Sequence, residues 1–273
     1  MSGTPIRLIA TDLDGTLLTS ASTVSERTRV TLDAARAAGI RVVPVTARQP
    51  IGLRQVAAGA GFDDWALCGN GAYGVHLTTG EQLFAEEIPP AVQQQLAEAL
   101  GAVIPDLVYA SVREVGEVFV AQHGYADLAQ LSDHKRDPAT MGGVPLAEVL
   151  GGASLKLVIR HPTVPIPEIF AAVQKLGLTG FEATLSGAPF VEVMAEGVTK
   201  ATGVAQLSAH LGIDRAEVIA FGDALNDLEL LHWAGRGVAM PGSDAAVLAA
   251  ADEIAPASND EDGVALVIER LLA

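Results

Sequence analysis

The feature that most constrains this chain is an apolar run that ends in acid. Ile6-Arg7-Leu8-Ile9-Ala10 passes directly into Thr11-Asp12-Leu13-Asp14-Gly15-Thr16, the pattern of a short buried strand followed at once by a tight carboxylate-bearing turn. A helix over Glu26–Ala38, closed by Gly39, leads to a second buried strand, Ile40–Val45, which ends at Thr46-Ala47-Arg48. Pro50 opens another helix, and Trp65–Cys68 reads as a third strand. Strand and helix in alternation predict a parallel sheet with right-handed crossovers.

The middle of the chain breaks this rhythm. Gly74–Leu77 and Gln82–Ile88 read as a hairpin turning at Thr79-Gly80, and Pro89-Pro90 starts a helix through Leu100. Short strands follow over 107–110, 117–121, 155–160, 181–184 and 190–193, with helices over 126–131 and 166–176. Strands outnumber helices, as in an antiparallel sheet with helices on one face. From Lys200 the alternation resumes: a helix to Leu211, a strand over Val218–Phe221, and Gly222-Asp223 at its carboxyl end. The expected fold class is α/β, a Rossmann-like parallel-sheet core holding an inserted α+β domain. Residues 1–84 and 191–273 form the core and 85–190 the insertion.

Composition agrees with a soluble α/β protein. Hydrophobic residues make up 49% of the 273, but aromatics only 4%, so Ala, Val, Leu and Ile must fill the core. A formal net charge of −16 repels nucleic acid and anionic lipid and argues against both as partners. It leaves room for a small phosphorylated ligand, because a bound cation reverses the field within one cleft. The single cysteine, Cys68, forms no internal disulfide and closes an apolar run, so it reads as a buried structural thiol. With no leader-like start and no long uncharged apolar segment, the expected location is the cytoplasm, as a monomer or small homo-oligomer.

Three polar clusters fall at strand ends: Asp12 and Asp14, then Thr46, then Asp223, Asn226 and Asp227. In an open parallel sheet the carboxyl ends of the strands line the ligand crevice, so these distant residues converge. Two carboxylates two positions apart suit attack on a phosphoryl group and proton donation to its leaving group. An anionic nucleophile at an anionic phosphate needs a divalent cation, and magnesium matches an all-oxygen site. Plainer roles compete at each position. Asp12-Leu13-Asp14-Gly15 also fits a simple turn, Thr46 a helix N-cap, and Lys200 a surface lysine at a helix start. A calcium loop is excluded, because its required Gly and Glu positions hold Leu17 and Thr23.

Asp12-Leu13-Asp14-Gly15-Thr16, Val45-Thr46-Ala47-Arg48, Lys200 and Gly222-Asp223-Ala224-Leu225-Asn226-Asp227, in that order, resemble the four motifs of the haloacid dehalogenase-like superfamily. Asn70-Gly71-Ala72 and Ser258-Asn259-Asp260-Glu261-Asp262-Gly263-Val264-Ala265 resemble its Cof-type phosphatases, which carry a large cap of the C2 type. The resemblance implies that Asp12 forms an aspartyl-phosphate while Asp14 protonates the leaving alcohol and then activates water. It implies that Thr46 and Lys200 hold the phosphoryl oxygens, with Arg48 and Asn226 also facing phosphate or substrate. Asp12, the Asp14 carbonyl and Asp223 are the implied Mg2+ ligands, and Asp227 supports the metal waters and Lys200. Ala47 stands where the family often has Gly, and Ser243 where relatives show Asn.

The expected function is magnesium-dependent hydrolysis of a small phosphomonoester, with sugar phosphates the leading class. Cap residues such as Arg113, Glu117, His123 or Lys156 are candidates to read the leaving group. A phosphomutase using the same intermediate and a non-catalytic phosphate-binding module are the alternatives.

Overall fold

The computed structural model describes residues 4–273, so the first three residues of the expected core segment lie outside the described residues. In chain order the first elements are β1 (Leu8–Thr11), α1 (Glu26–Ala37), β2 (Arg41–Pro44), α2 (Pro50–Ala60), β3 (Trp65–Cys68), β4 (Tyr73–His76) and β5 (Gln82–Ala85). Then come α3 (Pro90–Val103), β6 (Val108–Arg113), β7 (Val118–Ala121), α4 (Leu131–His134), α5 (Leu146–Val149), β8 (Lys156–Arg160), α6 (Ile166–Lys175), β9 (Phe181–Thr184) and β10 (Val191–Ala195). The chain closes with α7 (Lys200–Leu211), β11 (Val218–Gly222), α8 (Leu228–Trp233), β12 (Arg236–Ala239), α9 (Ala245–Ala250), β13 (Glu253–Ile254) and α10 (Gly263–Leu272). These elements divide into two compact units: residues 4–47, 53–84 and 199–273, and residues 48–52 with 85–198.

In the first unit a five-stranded sheet runs β13-β12-β11-β1-β2, and every pairing is parallel. β1 lies between β11 and β2, pairing Leu8 with both Val218 and Arg41, and all its residues are buried. A strand covered on both faces needs an unbroken apolar run, which is why Leu8-Ile9-Ala10 shows no alternation. Helix α1 starts on Ser25, whose hydroxyl accepts from Thr28 N at 3.0 Å, and ends before Gly39 at φ +83°. The chain leaves β1 toward β2 on one side and leaves β11 toward β12 on the other. The β1–β11 boundary is therefore the topological switch point, where strand ends open a crevice.

β3 departs from expectation. It meets β2 through one parallel bridge, Val45 with Leu67, and otherwise pairs antiparallel with β4 in a three-stranded sheet β3-β4-β5. Backbone N–H groups of β2 alternate between neighbours: Val45 N bonds Thr11 O, and Thr46 N bonds Leu67 O at 2.9 Å. Pro44 falls on the β3 side and has no N–H, so the ladder toward β3 loses a rung there.

The second unit is a five-stranded antiparallel sheet, β7-β6-β8-β10-β9. Leu157, Ile159, Val191 and Val193 point from it into a core shared with Leu96 and Leu100 of α3 and Ile169 and Val173 of α6. The expected strand at 107–110 is longer, because β7 pairs with β6 out to Arg113. The expected helix over 126–131 is two pieces, a turn at Ala126–Leu128 and then α4. Gln130 is extended and starts α4 through a reciprocal cap with Asp133. The strand expected to run to Ile88 stops at Ala85, and Ile88 pairs with Ser154 instead.

Candidate active site

The carboxyl ends of β1 and β11 bring three acids and one lysine together. Asp12 follows β1 and its N–H bonds Phe221 O of β11 at 3.0 Å, which sets the two strand ends level. Lys200, first residue of α7, is wholly buried and donates from Nζ to Asp12 Oδ1 and to Asp227 Oδ1, each at 2.6 Å. Thr199 caps that helix with Thr202, which fixes where Lys200 emerges. Lys200 is thus no surface residue, and burial of its ammonium is tolerable only because the acids face it.

Asp227 makes three hydrogen bonds. Its Oδ1 takes Lys200 and its Oδ2 accepts from Asp223 N and Ala224 N, both at 3.1 Å. Asp223 Oδ1 accepts from Thr16 Oγ1 at 2.6 Å, a tie between first and last motifs that sequence reading missed. The backbone there tolerates no side chain. Gly15 has φ +87°, and a Cβ on it would lie 2.4 Å from Asp223 Oδ2.

Three carboxylates therefore face one ammonium. Burial pushes Asp12 well above the usual carboxylate range; Lys200 pulls it down, while Asp227 and Asp223 push it further up. Asp223 rises to about 6, through burial first and then the Asp227 charge, with the Thr16 hydrogen bond opposing. For Lys200 burial favours the neutral amine, but Asp12 and Asp227 outweigh it and its pKa is raised. Carboxylate oxygens of Asp12, Asp223 and Asp227 lie within 4.8 Å of one another. Asp227 Oδ1 takes only Lys200 and keeps a lone pair, so oxygens of all three acids could face a cation. Asn226 adds a buried acceptor, Oδ1, that has no partner among the described residues. An all-oxygen set with excess negative charge and an orphaned acceptor fits a hard, hydrated divalent cation.

The other expected site residues take varied positions. Asp14 is exposed, one residue beyond the buried Leu13. Thr46 is 1% exposed at the end of β2; α2 begins only at Pro50, so Thr46 is not its N-cap. Asn226 is buried and donates from Nδ2 to Asn70 Oδ1 at 2.9 Å. Arg48 folds back on the start of α2, donating from Nη1 to Gly52 O at 3.1 Å, and groups with the second unit. Ser243 closes its own turn, its Oγ donating to Met240 O at 2.8 Å. The Ser258–Ala265 segment braces the loop after β1. Asn259 Nδ2 donates to Leu18 O at 2.7 Å, and Asp260 accepts from Ser20 N at 2.7 Å and Ser20 Oγ at 2.5 Å.

In the second unit, Lys156 is buried in an ion pair with Glu192, and Arg113 donates to Glu148 O and Val149 O at the end of α5. Both are occupied by structure. His123 packs beside Gly143, and Glu117 is exposed.

Comparison with known proteins places this architecture. The family described as haloacid dehalogenase-like hydrolase matches residues 9–268. A putative phosphatase of Haemophilus influenzae is 30% identical over 269 residues, covering 96% of this chain and 97% of its own. A pyridoxal phosphate phosphatase of Escherichia coli is 31% identical, covering 96% and 97% respectively. A solved haloalkanoate-superfamily phosphatase of Bacteroides thetaiotaomicron superposes with a TM-score of 0.81 at 25% identity, over 98% of this chain and 95% of that one.

Proposed function

The chain is an enzyme of the haloacid dehalogenase-like hydrolase family, and we propose that it hydrolyses small phosphomonoesters through a covalent intermediate on Asp12. The observation that carries this reading is the buried imbalance of three carboxylates against Lys200. Such an arrangement is costly as a purely structural ion cluster and well suited to holding a cation beside a phosphoryl group.

In this reading Asp12 attacks phosphorus and the P–O bond to the leaving alcohol breaks. Asp14 gives the alcohol its proton and then accepts one from the water that hydrolyses the aspartyl-phosphate, releasing phosphate and restoring Asp12. Lys200 and Thr46 hold the phosphoryl oxygens. Asp227 keeps Lys200 charged and placed while orienting the 223–224 backbone. Mg2+, held by Asp12, Asp223 and the Asp14 carbonyl, supplies charge neutralisation when bound. Arg48 joins the substrate-binding side chains.

The finer assignment is a sugar phosphate as substrate, with vitamin phosphates the next class because the E. coli relative is named for pyridoxal phosphate. Residues 85–190 are the cap of this proposal, and the separate compact unit built mainly from residues 85–198 supports that assignment. A cytoplasmic location belongs to the same proposal and agrees with the single buried thiol, Cys68. The test is phosphate release from sugar, nucleotide and vitamin phosphates, with magnesium and with chelator. Magnesium-dependent release is expected. A folded protein that releases no phosphate from any ester overturns the reading and favours a mutase or a binding module.

A further inference from the structure

The turn Gly69–Gly71 has no part in the chemistry above, yet it touches three segments that do. Asn70 N donates to Thr46 O at 2.9 Å. Asn70 Oδ1 accepts from Asn226 Nδ2 at 2.9 Å, and the two residues are 1% and 5% exposed. Gly71 lies against the start of α7 so closely that a Cβ on it would sit 2.4 Å from Thr199 O and 3.3 Å from the Lys200 Cα. From the other side, a Cβ on Gly203 would meet the Gly71 Cα at 2.9 Å. Backbone packs on backbone here, and neither segment can slide without a clash.

Gly69, Asn70 and Gly71 hold φ values of +59°, +60° and +91°. Gly and Asn are the residues that tolerate this left-handed path, so the Gly-Asn-Gly order is a conformational requirement. It places one side chain, Asn70, where it meets Asn226. A primary amide held by one hydrogen bond has one orientation; released, it turns over and exchanges donor for acceptor. Asn226 Oδ1 is buried and has no partner among the described residues. A buried carbonyl oxygen that accepts nothing is unfavourable unless a ligand supplies a donor.

Building on the proposed function, we infer that Asn70 is a positioning residue. It locks Asn226 so that Oδ1 is presented to an O–H donor of the bound ligand, either a cation-bound water or a protonated phosphate oxygen. Asn70 itself touches neither.

The test is calorimetric titration of the full chain with magnesium alone and then with inorganic phosphate in the presence of magnesium. Asn70→Gly removes the side chain while keeping the φ +60° path open. It should weaken at least one probe about fivefold, the ordinary worth of one hydrogen bond, and the arm that weakens identifies the donor. Asn226→Ala should weaken the same arm, and the double variant no further than Asn226→Ala alone. Affinities unchanged in Asn70→Gly, or losses that multiply in the double variant, overturn the inference, because a merely structural role predicts independence. Should Asn70→Gly fail to fold, Asn70→Asp retains the acceptor and must bind magnesium no more weakly than the parent; weaker binding overturns the inference. A parent that binds both probes but releases no phosphate sinks the proposed function and leaves this test standing. A parent that binds neither overturns both.

Discussion

Both units bury charge, and they balance it differently. In the second unit Lys156 meets Glu192, and Arg160 meets Asp133 at 2.8 Å, so these two cations face two anions. In the first unit a single ammonium serves Asp12 and Asp227, with Asp223 close by. Matched charges neutralise one another and order the chain around them without calling for a further cation. An unmatched cluster is stable only with protons or a cation added, and Asp12 and Asp223 show this by holding protons above the usual carboxylate range. The balance of charge, rather than its burial, separates the cluster proposed to act on phosphate from the matched pairs.

The strongest way to break this contrast is Asp12→Asn. It should abolish turnover, a loss on the order of 10³-fold or more for a removed nucleophile, while thermal unfolding shows a fold as stable as the parent or more so. A large loss of stability would mean that Asp12 is a structural partner like Glu192. The converse variant is Lys156→Met. Leaving the buried Glu192 without its Lys156 counter-charge should cost about 3–5 kcal/mol in urea denaturation, and adding Glu192→Leu should recover most of it. Little loss in the single variant would show that the matched pair does not carry the structural role described.

Much of the first cluster was legible in the sequence, because strand ends of a parallel sheet must converge and Asp12, Thr46, Asp223 and Asp227 all stand at or just past such ends. Lys200 was legible only through family resemblance; its burial depends on Asp12 and Asp227 arriving from elsewhere in the chain. The Thr16–Asp223 bond and the Asn70–Asn226 pair were not legible, since each joins side chains whose proximity no local pattern encodes. The same holds for Lys156 and Glu192. Both sit in strand patterns, and only the register that pairs β8 with β10 makes them partners. β3 keeps its place beside β2 but shares only one bridge with it, and Pro44 has no N–H to add a rung there, a detail that strand-helix alternation overlooks.

Two pH experiments sharpen the contrast further. With the Asp223 pKa raised to about 6, the folded, metal-free protein holds a proton that the unfolded chain releases near the ordinary value of 3.8. Its stability should therefore fall as pH rises through that window. Saturating magnesium, at a hundred times its Kd, should add about 2.7 kcal/mol above pH 6 and progressively less below it, where protons compete. A magnesium effect independent of pH would contradict the carboxylate site.

His134 gives the smaller, opposite signature. It stacks on Phe190 with centroids 4.7 Å apart and pairs with the Tyr125 hydroxyl at 2.8 Å. Burial first, then the Lys156 charge, lowers it from 6.5 to about 3. The unfolded chain takes up a proton below 6.5 that the folded one refuses, so this stability is complete above 6.5 and drains away as pH falls toward 3. Near pH 5 the loss should be about 2 kcal/mol in urea denaturation, and His134→Gln should remove that dependence. An unchanged acid dependence in the variant would assign the effect elsewhere.

The most direct test of the central claim is the mass of the acid-quenched enzyme during turnover of a phosphate ester with magnesium. The account predicts one phosphoryl group on the peptide that contains Asp12, absent with chelator and absent in Asp12→Asn. Turnover with no such adduct, and persisting in Asp12→Asn, would contradict it.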